Sequence, residues 1–316
     1  MTKSPLFVFL LFICCCKNSM MDSTFISSVS NDWLEGHYRH TYVTRTLSGD
    51  TLSSFLIFGN ECRILSGDLV YVVTWDKTTS TFQLSLYTDD GKKKDSLYSS
   101  LDNLEPIATS NPRYVAILLT DYELHLDTDS AQFLLYDLIE KKASPFLVVN
   151  NRIEGVIPQK VVFAYFDYEP RGAGQKTLTQ KLRVVDLWRG KVSDCYKKGP
   201  IDDSAFEAGE ELINQFSHIQ WLNNRELAYS TIQFFDSNSY IFRVYSYNIK
   251  KQKTKKEYEI SMDISIDGID FMVHNKALFV KNRTGIYKVQ ANKLRQLFQA
   301  DDYEDFFVHH NRGVQP

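Results

Sequence analysis

The 316-residue sequence predicts an all-β fold, a β-propeller of six blades with five left open, its ring closed by N- and C-terminal strands. Three observations predict it. A strand-and-turn motif recurs as LYTDDGKKK from Leu86, LYDLIEKKA from Leu135, VVDLWRGKV from Val184 and SYNIKKQKT from Ser246, with a weaker copy, IYKVQANKL, from Ile286. Thr88, Asp137, Asp186 and Asn248 of these copies lie 49, 49 and 62 residues apart. Before each copy runs a segment rich in Val, Ile, Tyr, Phe and Thr, and before each of those a further short strand. A period in the forties with about four strands per repeat is the signature of propeller blades.

Taken in chain order, the first element is MTKSPLFVFLLFICCC: a basic start, eight apolar residues from Leu6 to Ile13, then three cysteines. Even an 11-residue helix reaches only about 17 Å at about 1.5 Å per residue, short of the roughly 30 Å hydrocarbon core of a bilayer. The segment is read as a secretory signal, residues 1–15. Residues 16–36 are polar and serine-rich, as a flexible tether would be. The strand candidates HYRHTYVTRTL (His37–Leu47) and LSSFLIF (Leu52–Phe58) open the folded body, residues 37–316. They supply the sixth blade when paired with the C-terminal strand, because an open ring would leave two long unpaired edges. One strand of that blade has no candidate.

The body strands follow: LVYVVTW from Leu69, YVAILLT from Tyr114, VVFAYFDY from Val161, ELAYSTIQFF from Glu226 and KALFVKN from Lys276. Two insertions interrupt the period. EPRGAGQKTLTQ, from Glu169, lacks the glycine–lysine order and the following helix of a phosphate loop, and reads as a long hairpin. IDDSAFEAGEELINQF, from Ile201, carries a Ser204-x-x-Glu207 capping box with Ala205, Ala208, Leu212 and Phe216 near helical spacing, which predicts one short amphipathic helix. The lysines of Lys92–Lys94 and of KKQKTKK from Lys250 fall at or beyond the turns leading to the outermost strands, where charge keeps an edge from recruiting foreign strands.

Composition excludes several classes. A net charge of -3 gives no footprint for nucleic acid. Cys62 and Cys195 are the only cysteines beyond the Cys14–Cys16 run, too few for a disulfide framework, and 43% hydrophobic content over this length builds a core without one. Serine-hydrolase, zincin and dinucleotide motifs are missing. Asn282-Arg283-Thr284 matches a glycosylation acceptor by chance.

One constellation follows from the repeat. Inner strands of a propeller line its channel, so their openings at Glu61, Glu105, Glu154, His218, Asp270 and Asp305 are expected to form an axial ring. Converging carboxylates repel one another unless a cation or a polar ligand relieves them. No cofactor is otherwise implied, and a divalent cation in the channel is the one candidate.

Two resemblances add to this. The Tyr/Val-Asp-Leu-x-x-x-Lys turns resemble six-bladed propellers of the TolB-like class, over roughly residues 37 to 310, which implies a place at the cell envelope. Ile13-Cys14-Cys15-Cys16 resembles the bacterial lipoprotein signal. That implies lipid attachment at Cys16, with Cys15 the alternative, and, since Lys17 is not aspartate, the outer membrane over the inner. The expectation is an exported, lipid-anchored, monomeric and noncatalytic propeller binding a protein, peptide or glycan. Its alternative is a metal-dependent hydrolase or lactonase using the carboxylate ring, since six-bladed enzymes of that kind hold a metal on the axis.

Overall fold

The computed structural model describes residues 24–34, 37–66, 69–88, 90–120, 130–155, 159–170, 178–201, 204–207, 209–214, 217, 219–235, 239–262, 264–299 and 303–310. The signal peptide, Cys16, His218 and most of the Glu169–Gln180 loop lie outside them. Six antiparallel sheets make six blades. Blade 1 is β4 (Glu61–Ser66), β5 (Leu69–Asp76), β6 (Thr81–Thr88) and β7 (Lys93–Ser100). Blade 2 is β8 (Asn103–Ala108), β9 (Tyr114–Thr120), β10 (Ser130–Asp137), β11 (Lys142–Val149) and β12 (Arg152–Glu154). Blade 3 has β13 (Val162–Pro170), β14 (Leu178–Asp186) and β15 (Lys191–Ile201). Blade 4 splits its inner position between β16 (Glu211–Ile213) and β17 (Gln220–Asn223), both paired to β18 (Glu226–Phe234), and continues through β19 (Tyr240–Asn248) and β20 (Lys253–Met262). Blade 5 is β21 (Asp270–His274), β22 (Ala277–Asn282), β23 (Gly285–Gln290) and β24 (Lys293–Gln299).

Blade 6 closes the ring in the order β25 (Tyr303–His310), β1 (Thr24–Leu34), β2 (His37–Thr46), β3 (Thr51–Phe58). Strand β1 is the one the sequence did not reveal, and it corrects the expected tether over residues 24–34, which are strand. The segment looks like a linker because Ser27 and Ser28 are polar, yet both are buried. Ser27 Oγ accepts a hydrogen bond from Tyr42 OH (2.8 Å) and is hydrogen-bonded with Thr44 Oγ1 (2.9 Å) and His309 Nε2 (3.0 Å), the partners being drawn from both neighbouring strands. A buried hydroxyl is tolerated when its partners are in place.

Side chains alternate across each sheet, so every blade buries both faces against its neighbours. On β9, Val115, Ile117 and Leu119 join Tyr71, Leu84 and Leu97 of blade 1, while Ala116 between them joins Phe133, Phe163 and Val185 toward blade 3. Leu182 and Val184 meet Leu227 and Tyr229, and Phe242 and Ile260 meet Phe271 and Val280. Phe279 and Phe298 meet Ile26 and Val308, and Val29, Tyr42 and Ile57 meet Cys62, Ile64 and Val72. Six apolar interfaces thus run round the ring without a break. Cys62 and Cys195 remain thiols in different interfaces.

The recurrent Asp or Asn of the motif caps its hairpin. Asp137 Oδ1 accepts from the backbone N–H of Ile139 and Glu140, Asp186 Oδ1 from Arg189, and Asn248 Oδ1 from Lys251. Four residues beyond each cap the backbone turns left-handed, at Lys141 (φ 55°), Gly190 (φ 60°) and Gln252 (φ 51°). The repeat is therefore turn chemistry. Asn282 serves likewise, buried and accepting from Thr284 and Gly285, which explains the glycosylation-like triplet as a turn cap.

Asp137 also takes a forked contact from Arg113, with Nε at 3.0 and 2.9 Å and Nη2 at 2.6 Å. The Arg113 hydrogen bonds hold its carboxyl down at about 2, against the desolvation that would raise it. A depressed acid contributes stability above its unfolded pKa of about 3.9, and that contribution is lost as pH falls through the folded value. The urea midpoint of Asp137→Asn is expected to lie below wild type by a constant margin above about pH 5, the margin closing as pH falls from about 4 to about 2. A margin independent of pH would mean that the charge of Asp137 contributes nothing.

The insertion after Ile201 differs from the expected helix. Only one turn forms, α1 (Ser204–Glu207), and Leu212 lies on β16, paired with Ile232. Gly209 at φ +70° stops the helix, and a Cβ there would stand 2.8 Å from the Phe234 carbonyl oxygen. Beyond it the open edge of β18 takes the chain as a strand. Ile201, Ala205 and Leu212 close a small apolar cluster beneath.

Candidate functional site

The expected ring of acids is assembled only in part. Inner strands β4, β8, β21 and β25 bring Glu61, Glu105, Asp270 and Asp305 to the axis side of their blades. Glu154 does not belong there: β12 pairs with β11 and forms the outer edge of blade 2, and Glu154 is solvent-exposed. The three residues Arg152–Glu154 complete a hairpin begun at Asn150 and Asn151, both left-handed, so the strand turned back before reaching the axis. Next to it, the segment following β8 lies against the start of β13: Thr109 bridges Phe163, and Ser110 N–H donates to Val162 O at 2.8 Å.

The acids that do reach the axis are engaged by the protein. Asp305 is fully buried, with Oδ2 accepting from Ile64 N–H at 2.6 Å in the next blade and Oδ1 from Phe306 N–H at 2.7 Å. Asp270, also buried, accepts from Phe271 N–H at 2.6 Å and stands in register with buried Lys281 of β22. Glu61 receives Arg63 Nε at 2.6 Å. Burial alone would lower the Arg63 pKa, but attraction to Glu61, Asp305 and Glu105 outweighs it and holds the guanidinium above its ordinary value. Arg63 is the cation the repulsion argument demanded, supplied two residues along the same strand.

Similar clasps tie other inner strands. Gln220 exchanges two hydrogen bonds of 2.7 Å with Val273 backbone, Trp221 Nε1–H donates to Ala108 O at 3.0 Å, and Val308 N–H reaches Met272 Sδ at 2.9 Å. Side chains thereby replace the ladder that adjacent blades cannot form. Among the described residues no group of three or more His, Cys, Asp or Glu side chains is placed to hold a metal ion.

A cavity of about 530 Å³ opens on the other face of the ring, a volume usual for small-ligand pockets. In an up-and-down sheet the first–second and third–fourth connections share one face. The cavity is walled by such turns: β8–β9 with Asn111, the chain entering β13 with Lys160, β14–β15 with Trp188 and Arg189, β17–β18 with Arg225, and β19–β20 with Lys250. α1, between β15 and β16, lies on a connection of the opposite face. Trp188 is 57% exposed, and Lys160 Nζ sits 5.5 Å from its ring centre. Arg189 leans on Asp186 at 3.6 Å. Lys160, Arg225 and Lys250 have no ion-pair partner among the described residues. Sequence reading missed this group because its members lie on turns from residue 111 to residue 250; the one local signal was a tryptophan on the tip of a hairpin, DLWRG.

Together the closed ring and its lined axis define a six-bladed β-propeller. No protein-family model and no curated protein matches the chain. Solved structures similar to it include the β-propeller domain of the Trilobed protease from Pyrococcus furiosus, 8% identical with a TM-score of 0.45 over 87% of this chain and 92% of that one. A putative 6-phosphogluconolactonase from Bacteroides fragilis is 10% identical with a TM-score of 0.43, over 92% and 99%. The acylaminoacyl peptidase of Pyrococcus horikoshii is 12% identical with a TM-score of 0.45 over 88% of this chain, which spans about half of that enzyme. At these identities and scores the likenesses say nothing of activity.

Proposed function

We propose that this chain is an exported recognition protein of the bacterial cell envelope, anchored through lipid at Cys16, with the outer membrane favoured. Its propeller holds a protein, peptide or glycan and performs no chemistry on it. One observation carries the reading: the axial acids are spent on backbone N–H groups and on Arg63, whereas Lys160, Arg225 and Lys250 in the cavity around Trp188 have no ion-pair partner among the described residues. Polar groups already satisfied inside a fold stabilise it, whereas hydrated cations converging on an open cavity are available to a ligand. Ring closure within one chain gives both terminal strands their partners inside blade 6, in keeping with a monomer.

The test uses the full-length protein on arrays of envelope glycans and peptides. Ligands are expected whose retention falls in Arg225→Gln and is unchanged in Glu61→Gln. Stoichiometric divalent metal, with lactone or ester turnover that disappears in Glu61→Gln, would replace this reading with the hydrolase. For the anchor, Cys16→Ala is expected to move the protein from the membrane fraction to the soluble exported fraction; persistence in membranes would move the attachment to Cys15 or abolish it.

A further inference from the structure

We infer that the cavity bounded by Lys160, Trp188, Arg225 and Lys250 is a subsite for a carboxylated sugar of an acidic polysaccharide. The inference rests on the recognition reading above and names the ligand class of that site.

Charge is the first argument. Within the lysine-rich stretch that begins at Lys250, Lys255 and Lys256 are answered by Glu257 at 2.8 Å and Glu259 at 2.6 Å, as solvated edge lysines are. Among the described residues Lys250 has no such partner, nor do Lys160 and Arg225, and the three reach one cavity from three separate turns. Like charges gathered in one concavity repel and raise the local concentration of anions.

Trp188 supplies the second argument. An indole more than half exposed on a hairpin tip offers a flat apolar face. The ring C–H groups of a pyranose lie flat on such a face, and Lys160 near the ring adds an attraction of its own.

The form of the anion comes from the walls. Phosphate is bound most readily by convergent backbone N–H groups. Here those donors are committed: Arg189 N–H to Asp186, Arg225 N–H to Asn223 and Lys251 N–H to Asn248. Recognition falls to side chains, and the planar guanidinium of Arg225 matches a carboxylate. Asp186 in the wall opposes a dianion while accepting a hydroxyl, and the amide of Asn111 can donate to another. A singly charged, hydroxyl-bearing ring satisfies all of these.

Calorimetric titration of the full-length protein with tetramers of galacturonate, glucuronate and mannuronate tests this, with neutral galactose and glucose tetramers and a tetra-aspartate peptide beside them. At least one uronate is expected to bind, roughly tenfold more weakly in Trp188→Ala and in Arg225→Gln, and more weakly as salt rises from about 0.05 to about 0.5 M. All substituted residues are exposed, so unchanged thermal unfolding of each variant keeps loss of binding separate from loss of fold. The inference fails if no uronate binds, if neutral sugars or tetra-aspartate bind as tightly, or if both variants bind as wild type. Should the arrays return a different ligand sensitive to Arg225→Gln, recognition at this site stands and the sugar assignment alone is lost.

Discussion

Asp305→Ala is expected to cost about 3 to 6 kcal/mol of stability, two charge-assisted hydrogen bonds at about 1.5 to 3 kcal/mol each. The carboxylate receives Ile64 N–H from blade 1 and Phe306 N–H from its own strand, and the region is dry: Asp305 is fully buried and Ile64 nearly so. Alanine leaves the Ile64 donor beside the apolar cluster of Val29, Tyr42 and Val72 with nothing to bond. It also takes from Arg63 one of the three acids that hold its charge. Asparagine keeps an acceptor but not the charge, so Asp305→Asn should fall between alanine and wild type. Urea denaturation measures all three. Equal midpoints for alanine and wild type would show that the seam between the last strand and blade 1 does not depend on this clasp.

Removing Thr24–Leu34, by starting the folded body at His37, is expected to be more damaging still. Strand β1 pairs with β25 from Thr24 to Ser30 and with β2 along Phe25 to Leu34, so its loss opens two edges at once. It also removes Phe25, Ile26 and Val29 from the core, at about 1.5 to 3 kcal/mol each. With the ladder bonds added, the deficit is on the order of 10 kcal/mol, comparable with the whole stability of an ordinary domain. The shortened chain should lose cooperative unfolding and self-associate through the exposed edges. Size-exclusion chromatography and thermal unfolding decide it: a monomer that melts with the full-length protein would mean that another strand closes the ring.

These two effects concern the residues that the sequence describes least well. Strands β5, β9, β18 and β22 were legible because each carries an apolar run bounded by turn residues, and the Asp or Asn caps recur because every hairpin needs the same backbone donors satisfied. The acids at strand openings were legible as residues but not as a site. Glu61, Asp270 and Asp305 look alike in sequence, yet one faces an arginine two residues away while the other two bind main-chain N–H groups, Asp305 reaching across a blade seam. Glu154 shared their sequence context and went to the outer edge, because two left-handed asparagines turned its strand back onto β11.

By itself the sequence determined the blade and the meeting of the chain ends, since these follow from hydrophobic alternation and turn chemistry that act over a few residues; the number of blades it left between five and six until β1 completed the sixth. The tertiary structure alone decided that serines 27 and 28 are core, that Gly209 yields a strand where a helix was spaced, and that Lys160, Arg225 and Lys250, on turns 25 to 90 residues apart, line one cavity with Trp188. The reason is physical: a polar side chain is defined by the partner that satisfies it, and in a ring of sheets that partner comes from another blade.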